Sequence, residues 1–320
     1  MLSPSRTVSR LLTDTASRHP ERTAIVFGDD RITYAALDAA ANRVANLLAS
    51  RGIQPGDKVA LSCPNVPHFS SVYFGILKAG AAVVPLNVLL RSGEIAYHLA
   101  DSDAKAYFAF EGMPELPIAH AAWEGFRATE GCTEFFLIES DGAAPAGGGS
   151  RTPESYQATV AEQPVTFRTL ERDEDDTAVV LYTSGATGHP KGTELRHRNV
   201  YDNALVGRDL FAADPGRPDT YLCVLPLFHA FGQTVVQNGA FAFGGTIVMQ
   251  PRFEAQAALR LMLAHDVTFF AGSRRCTGVC SRRSTRRSTS PAWRRTCAWP
   301  WPAARPCPPR STSSSRTASV

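Results

Sequence analysis

The sequence predicts an α/β fold of layered, mostly parallel sheets flanked by helices. Short apolar runs of strand length recur between stretches of helical spacing from Met1 to Gly272. Turns rich in Gly and Asp separate them, and no internal repeat is present. That alternation favours helices laid on the faces of parallel sheets. Residues 273–320 do not share it, so the two stretches are read separately.

Thr23–Phe27 and Arg31–Tyr34 flank Gly28-Asp29-Asp30 and read as a hairpin. Tyr34–Ser50 is an Ala-rich amphipathic helix with Leu37, Ala41, Val44, Leu47 and Leu48 on one face. Gly52–Asp57 breaks it, and Lys58–Ser62 reads as a buried strand. His68–Ala79 is helical, Ala81–Leu86 a strand, Ser92–Ala100 a helix, and Lys105–Phe110 and Glu134–Glu139 strands. Asp141–Thr152 is a Gly/Ala-rich loop. Further strands are expected at Ala178–Tyr182, Thr220–Val224, Thr246–Met249 and Thr268–Ala271. Helical stretches around Asn199–Phe211, Gln233–Ala242 and Glu254–His265 separate them.

Composition bounds the function. The chain has 320 residues, 44% of them hydrophobic, enough for a large core, and a formal charge of +3. That charge hides an asymmetry. Residues 273–320 hold 11 Arg, no Lys and no acidic residue, leaving 22 basic and 30 acidic residues in 1–272. The N-terminus lacks the apolar run of a secretory signal, and Lys78 interrupts the most hydrophobic region. Cys63, Cys132 and Cys223 are widely separated and lack metal-ligand spacing, so a reducing cytoplasm is expected.

Residues 181–193 carry the chemistry: Leu181-Tyr-Thr-Ser-Gly-Ala-Thr-Gly-His-Pro-Lys-Gly-Thr193. An apolar strand runs into a loop of hydroxyls, glycines and one lysine. Glycines let backbone N–H groups approach an anion, hydroxyls add movable donors, and Lys191 adds charge. Pro190 stiffens the loop just before it. The spacing is not that of a Walker loop, since Pro190 stands five positions after Gly185 and Thr193 five after Gly188.

The segment resembles the phosphate loop of the adenylate-forming (AMP-binding) superfamily, Tyr-Thr-Ser-Gly-Thr-Thr-Gly-x-Pro-Lys-Gly. Ala186 is the one departure in its core. Glu194-Leu-Arg-His-Arg-Asn199 is similar to the stretch directly after that loop in the family. Leu225-Pro-Leu-Phe-His-Ala-Phe-Gly232 resembles the segment whose aromatic–His pair lies beside the acyl tunnel. Leu77-Lys-Ala-Gly-Ala-Ala-Val-Val-Pro-Leu-Asn87 resembles a helix-to-strand segment with a packing role. The resemblance spans 1–272, as the N-terminal part of an incomplete AMP-binding domain, and is nearest to fatty-acyl-CoA synthetases.

That resemblance implies a ligase acting in two steps on a fatty acid, ATP and CoA, with Mg²⁺. The carboxylate attacks the α-phosphate of ATP to give an acyl-adenylate and pyrophosphate; the CoA thiol then attacks the mixed anhydride. It implies that Thr183, Ser184, Gly185, Ala186, Thr187, Gly188 and Lys191 bind the ATP phosphates. Phe228 and His229 border the acyl and thiol path, and His229 and Lys191 are the candidate catalytic residues. The family's Gly-Tyr-Gly-x-Thr-Glu segment, with its Mg²⁺-binding Glu, does not occur in this sequence. Neither does its Tyr-x-Thr-Gly-Asp ribose anchor, nor the lid lysine. No metal ligand is therefore identified, and the chain is expected to be inactive as it stands. No nucleic-acid or specific protein partner is expected; peripheral membrane contact is left open.

The tail invites other readings. Cys276-x-x-x-Cys280 has no nearby His for zinc, and no period organises Arg282–Arg287 for nucleic acid. Its composition matches a G/C-rich gene translated out of frame, and the genetic code bears on this directly. The resemblance implies a continuation after Gly272 similar to Val-Pro-Thr-Met-Tyr. Extended to Val-Pro-Thr-Met-Tyr-Trp-Gly-Leu-Leu, written GTC CCG ACG ATG TAC TGG GGT CTG CTC and read one base later, that continuation gives Ser-Arg-Arg-Cys-Thr-Gly-Val-Cys-Ser, residues 273–281. Shifting Thr296–Pro308 back permits Leu-Arg-Leu-Ala-Val-Ala-Gly-Gly-Ala-Ala-Leu-Pro, similar to a later family stretch. Two of its Ala codons are forced by Trp299-Pro300 and Trp301-Pro302. The expectation is a frameshift near Gly272 and a disordered tail. Competing readings are a ligase that loads a carrier protein and a regulatory or nucleic-acid-binding fragment using the basic tail.

Overall fold

The computed structural model describes residues 5–113, 116–140, 153–183 and 189–272. The tail, the loop expected over 141–152, and Ser184, Gly185, Ala186, Thr187 and Gly188 lie outside the described residues. In chain order, α1 (Ser9–Arg18) precedes the hairpin β1 (Thr23–Phe27) and β2 (Asp30–Thr33). Then come α2 (Tyr34–Ser50), β3 (Lys58–Ser62), α3 (Pro67–Lys78), β4 (Ala82–Pro85), α4 (Ser92–Asp101) and β5 (Ala104–Phe110). A small pair, β6 (Gly112–Met113) and β7 (Leu116–Pro117), leads to α5 (Ala119–Arg127), β8 (Glu134–Ile138), β9 (Glu154–Ser155) and α6 (Tyr156–Ala161). The chain continues through β10 (Thr177–Thr183), β11 (Lys191–Arg196), α7 (His197–Leu205), α8 (Gly207–Phe211) and β12 (Thr220–Cys223). A π-helix (Gly232–Asn238), α9 (Gly239–Ala242), β13 (Thr246–Met249), α10 (Ala255–Ala264) and β14 (Phe269–Phe270) complete the described chain.

Two large sheets carry the fold. One has seven strands in the order β11-β10-β4-β3-β5-β8-β9, and the other five in the order β14-β12-β13-β1-β2. Only β10–β11 and β1–β2 pair antiparallel within them. The layered, mostly parallel α/β architecture is as the sequence predicts. Helix Tyr34–Ser50 falls on its expected bounds, with the Thr33 hydroxyl capping it by accepting from the Ala36 N–H at 3.1 Å.

Three expectations are refined. Asn199–Phe211 is two helices, α7 and α8, joined at Val206. The helix expected over Gln233–Ala242 starts one residue earlier and begins as a π-helix. Strand β11 was not expected, because Lys-Gly-Thr-Glu-Leu-Arg is polar: it is an edge strand, exposed along most of its length.

The main core lies between the sheets. It joins Ile25, Tyr221, Ile247 and Met249 of one sheet to Val59, Val83, Phe108 and Phe136 of the other through the layer containing α2 and α3. Within that layer Tyr34, Phe74 and Phe241 meet ring to ring at 5.7 Å. Lys78 closes the helix pair. It is only 1% exposed, and its ammonium donates to Asp38 Oδ1 at 2.6 Å and Asn42 Oδ1 at 2.8 Å. Burial lowers the Lys78 pKa, against the opposing pull of Asp38. Asp38→Ala strands a buried cation and is expected to destabilise the protein by about 3 kcal/mol. The joint replacement of Lys78 by Met and Asp38 by Leu should cost much less, and urea unfolding of the two variants checks the order.

Candidate functional site

Strand β10 delivers its apolar residues to the sheet and ends, at Thr183, where the phosphate-loop motif begins. Parallel sheets bind ligands beyond the carboxyl ends of their strands, and this loop leaves from such an end. Strand β11 returns antiparallel, and the register pairs Thr183 directly with Lys191. Both side chains are exposed. Neither the Thr183 hydroxyl nor the Lys191 ammonium has a hydrogen bond or ion pair among the described residues. A donor and a cation therefore face solvent across the neck of one hairpin, which suits a phosphate group.

A cavity of about 260 Å³ opens at this neck and brings together Tyr182, Thr183, Pro190, Phe228 and His229. Thus the structure joins Thr183 to the Phe228–His229 pair, which the chain separates by some forty-five residues. Lys191 stands at the neck but does not line that cavity. The Phe228 and His229 rings are 6.0 Å apart and tilted by 39°. Phe228 is half-buried and His229 exposed.

The Phe228–His229 turn is held from two sides. Asn65, buried between β3 and α3, accepts from the Leu227 N–H at 2.9 Å and donates to the Leu225 carbonyl at 3.0 Å. The His229 N–H donates to the Pro226 carbonyl at 3.1 Å. Gly232 then passes so near this carbonyl that an added Cβ would lie 2.2 Å from its oxygen. The motif needs glycine here for space. The π-helix that starts at this glycine is a strained form that recurs at functional sites, and it carries buried amides: Gln237 accepts from Ser70 Oγ at 2.7 Å.

Two apolar cavities flank this segment. One, of about 350 Å³, is lined by Val206, Leu210, Phe211, Phe231 and Val235, with Asn203 and Tyr221 among its more polar walls. The other, of about 600 Å³, includes Phe228, Val88, Leu89 and Met113, together with Asn65 and Arg252.

Sequence reading missed four contributors. Asn65 acts through the turn it clamps, and Tyr97, His98 and Asp101 of α4 border the hairpin. None stands in a recognisable motif; only the asparagine after Pro64, at the end of a buried strand, offers a local hint. No group of three or more His, Cys, Asp or Glu that could hold a metal occurs among the described residues. Glu94, the carboxylate on the wall of the neck cavity, already accepts the Arg91 N–H at 2.8 Å as a helix cap. The described donor set therefore does not fit Mg²⁺.

Residues 12–287 match the family model described as AMP-binding enzyme. Long-chain-fatty-acid–CoA ligase FadD13 of Mycobacterium tuberculosis H37Rv is 32% identical over 75% of this chain and 44% of its own. A feruloyl-CoA synthase of Amycolatopsis is 32% identical over 80% of this chain and 46% of its own. The inhibitor-bound N-terminal domain of FACL13 from Mycobacterium tuberculosis superposes with a TM-score of 0.76 and 27% identity, over 89% of this chain and 68% of that one. The chain spans about half the length of the curated relatives it matches. Gly232→Ala is expected to cost about 3 kcal/mol by overpacking against Pro226. Urea unfolding measures the loss, and a shifted His229 ring resonance reports the displaced turn.

Proposed function

This chain belongs to the AMP-binding enzyme family, and we propose that its site is the phosphate-gripping and acid-binding half of an acid–CoA ligase. The observation that carries this reading is the pairing of Thr183 with Lys191 at the mouth of the cavity that Phe228 and His229 border. ATP would lie with its β- and γ-phosphates against the hairpin. Lys191 would supply charge, and Thr183 with Ser184, Gly185, Ala186, Thr187 and Gly188 would supply the grip.

The acid would place its carboxylate near His229 and its apolar part in the 350 Å³ cavity, whose lining is mostly aliphatic and aromatic. The larger cavity has a more polar wall and suits the arm that brings the thiol. Negative charge grows on phosphoryl oxygens as the carboxylate attacks the α-phosphate, so donors already fixed at the neck are worth most at that moment. A fatty acid is the preferred substrate class, after the ligase named for FadD13. The feruloyl-CoA synthase match makes an aromatic acid the competitor.

The Mg²⁺ ligand, ribose anchor and lid lysine of the family are not found in this sequence. We propose that the hairpin of this chain grips the phosphates of ATP, and that residues 273–320 are read out of frame. Calorimetry should show ATP binding to the chain that Lys191→Ala weakens by roughly tenfold to a hundredfold, the value of a charge-assisted hydrogen bond. Sequencing the gene through the Gly272 codon should show that a one-base correction restores Val-Pro-Thr-Met-Tyr. An in-frame relative with the same tail would overturn that part.

A further inference from the structure

Helix α4 belongs to no motif, yet it contacts both legs of the phosphate hairpin. Its Ile95 and Leu99 are buried with Ala122 and Phe126 of α5, which anchors the helix in a second core beneath the sheet. Tyr97 and Asp101 are four residues apart and share one side of it. The Tyr97 hydroxyl donates to the Pro190 carbonyl at 2.8 Å, and its ring lies 5.8 Å from that of His189. On the other leg, the Tyr182 hydroxyl donates to Asp101 Oδ2 at 2.7 Å. The Tyr182 ring meets His98 edge-on at 4.2 Å.

Each contact falls on the neighbour of a phosphate-facing group. Pro190 precedes Lys191, Tyr182 precedes Thr183, and Thr183 pairs with Lys191. This pair is the last of the described ladder, and β11 is an edge strand supported on one side only. The terminal pair of such a ladder frays more readily than its interior unless something outside it holds the strands. A rigid helix that hydrogen-bonds both legs supplies that hold and sets the spacing of the two side chains.

We infer that Tyr97 and Asp101 are positioning residues of the phosphate site, bracing the Thr183–Lys191 neck so that both groups address one phosphoryl group. The inference rests on the phosphate-binding role proposed for this hairpin. It assigns no contact between Tyr97 or Asp101 and the ligand; their effect passes through Pro190 and Tyr182.

Two measurements on the full chain test it, using Tyr97→Phe, Asp101→Ala and Asp101→Asn. Hydrogen exchange without ligand reads the brace. The amides of Tyr182, Thr183, Lys191 and Gly192 should exchange about threefold to tenfold faster in Tyr97→Phe and Asp101→Ala, the worth of one net hydrogen bond. Those of Ala178–Val180 and α5 should be unchanged, and Asp101→Asn, which keeps an acceptor for Tyr182, should behave as wild type. Titration with inorganic pyrophosphate reads the consequence: the first two variants should bind about threefold to tenfold more weakly, with Asp101→Asn restored. Unaltered exchange at the neck overturns the brace, as does acceleration spread evenly over the domain. Altered exchange with unaltered pyrophosphate affinity overturns the positioning role. A wild-type chain that binds no pyrophosphate overturns the functional reading instead.

Discussion

Helix α3 lies so close on α2 that a Cβ added at Gly75 would sit 2.4 Å from that of Val44. Only glycine permits the approach, and the rest of the fold is arranged around it. The paired helices fill the layer between two sheets, and Tyr34, Phe69, Tyr73 and Phe74 fix its thickness. Lys78 ties the end of α3 to α2 through Asp38 and Asn42, trading a costly desolvation for a well-satisfied cation. Its backbone carbonyl accepts from the Leu170 N–H at 3.0 Å, which steers the chain toward β10.

The functional side chains inherit their positions from that layer. Asn65 immediately precedes the turn into α3, so fixing α3 fixes the clamp on Leu225 and Leu227, and with it Phe228 and His229. Strand β10 pairs with β4 at Val179–Val83, so the strand that comes after α3 also sets the height of the β10–β11 hairpin. Two segments far apart in the chain thus meet at one cavity because both are referenced to the same helix. The electrostatics are spare: Thr183 and Lys191 face solvent, while Glu94, the only carboxylate among the described residues lining the neck cavity, is engaged in capping α4.

Much of the fold is legible in the residue pattern, and the exceptions have physical causes. Helix α2 is plain because its apolar residues repeat at the helical period, and strands β3 and β5 because they are short, nearly continuous apolar runs buried on both faces. Strand β11 is not, since an edge strand with most residues exposed has no apolar face to betray it. Helix α1 has a weaker signature, because polar Ser9 and Thr15 share its buried face with Leu11, Leu12 and Ala16. The π-helix reads as an ordinary helix, because a change from one hydrogen-bond register to another leaves the apolar pattern almost intact.

By itself, the sequence determined the fold class, the Gly- and hydroxyl-rich motif for which phosphate binding is proposed, the Phe228–His229 segment and the break in composition after Gly272. Each is a local property: residue types at fixed spacing, or a change in residue usage along the chain. The tertiary structure alone decided that Thr183 and Lys191 face one another and that Phe228 lines one cavity with Thr183. It also decided that Asn65, Tyr97 and Asp101 hold these pieces in place. These depend on strand register and helix packing, which couple residues through contacts between distant segments, and no motif encodes a neighbour that lies nearly a hundred residues away.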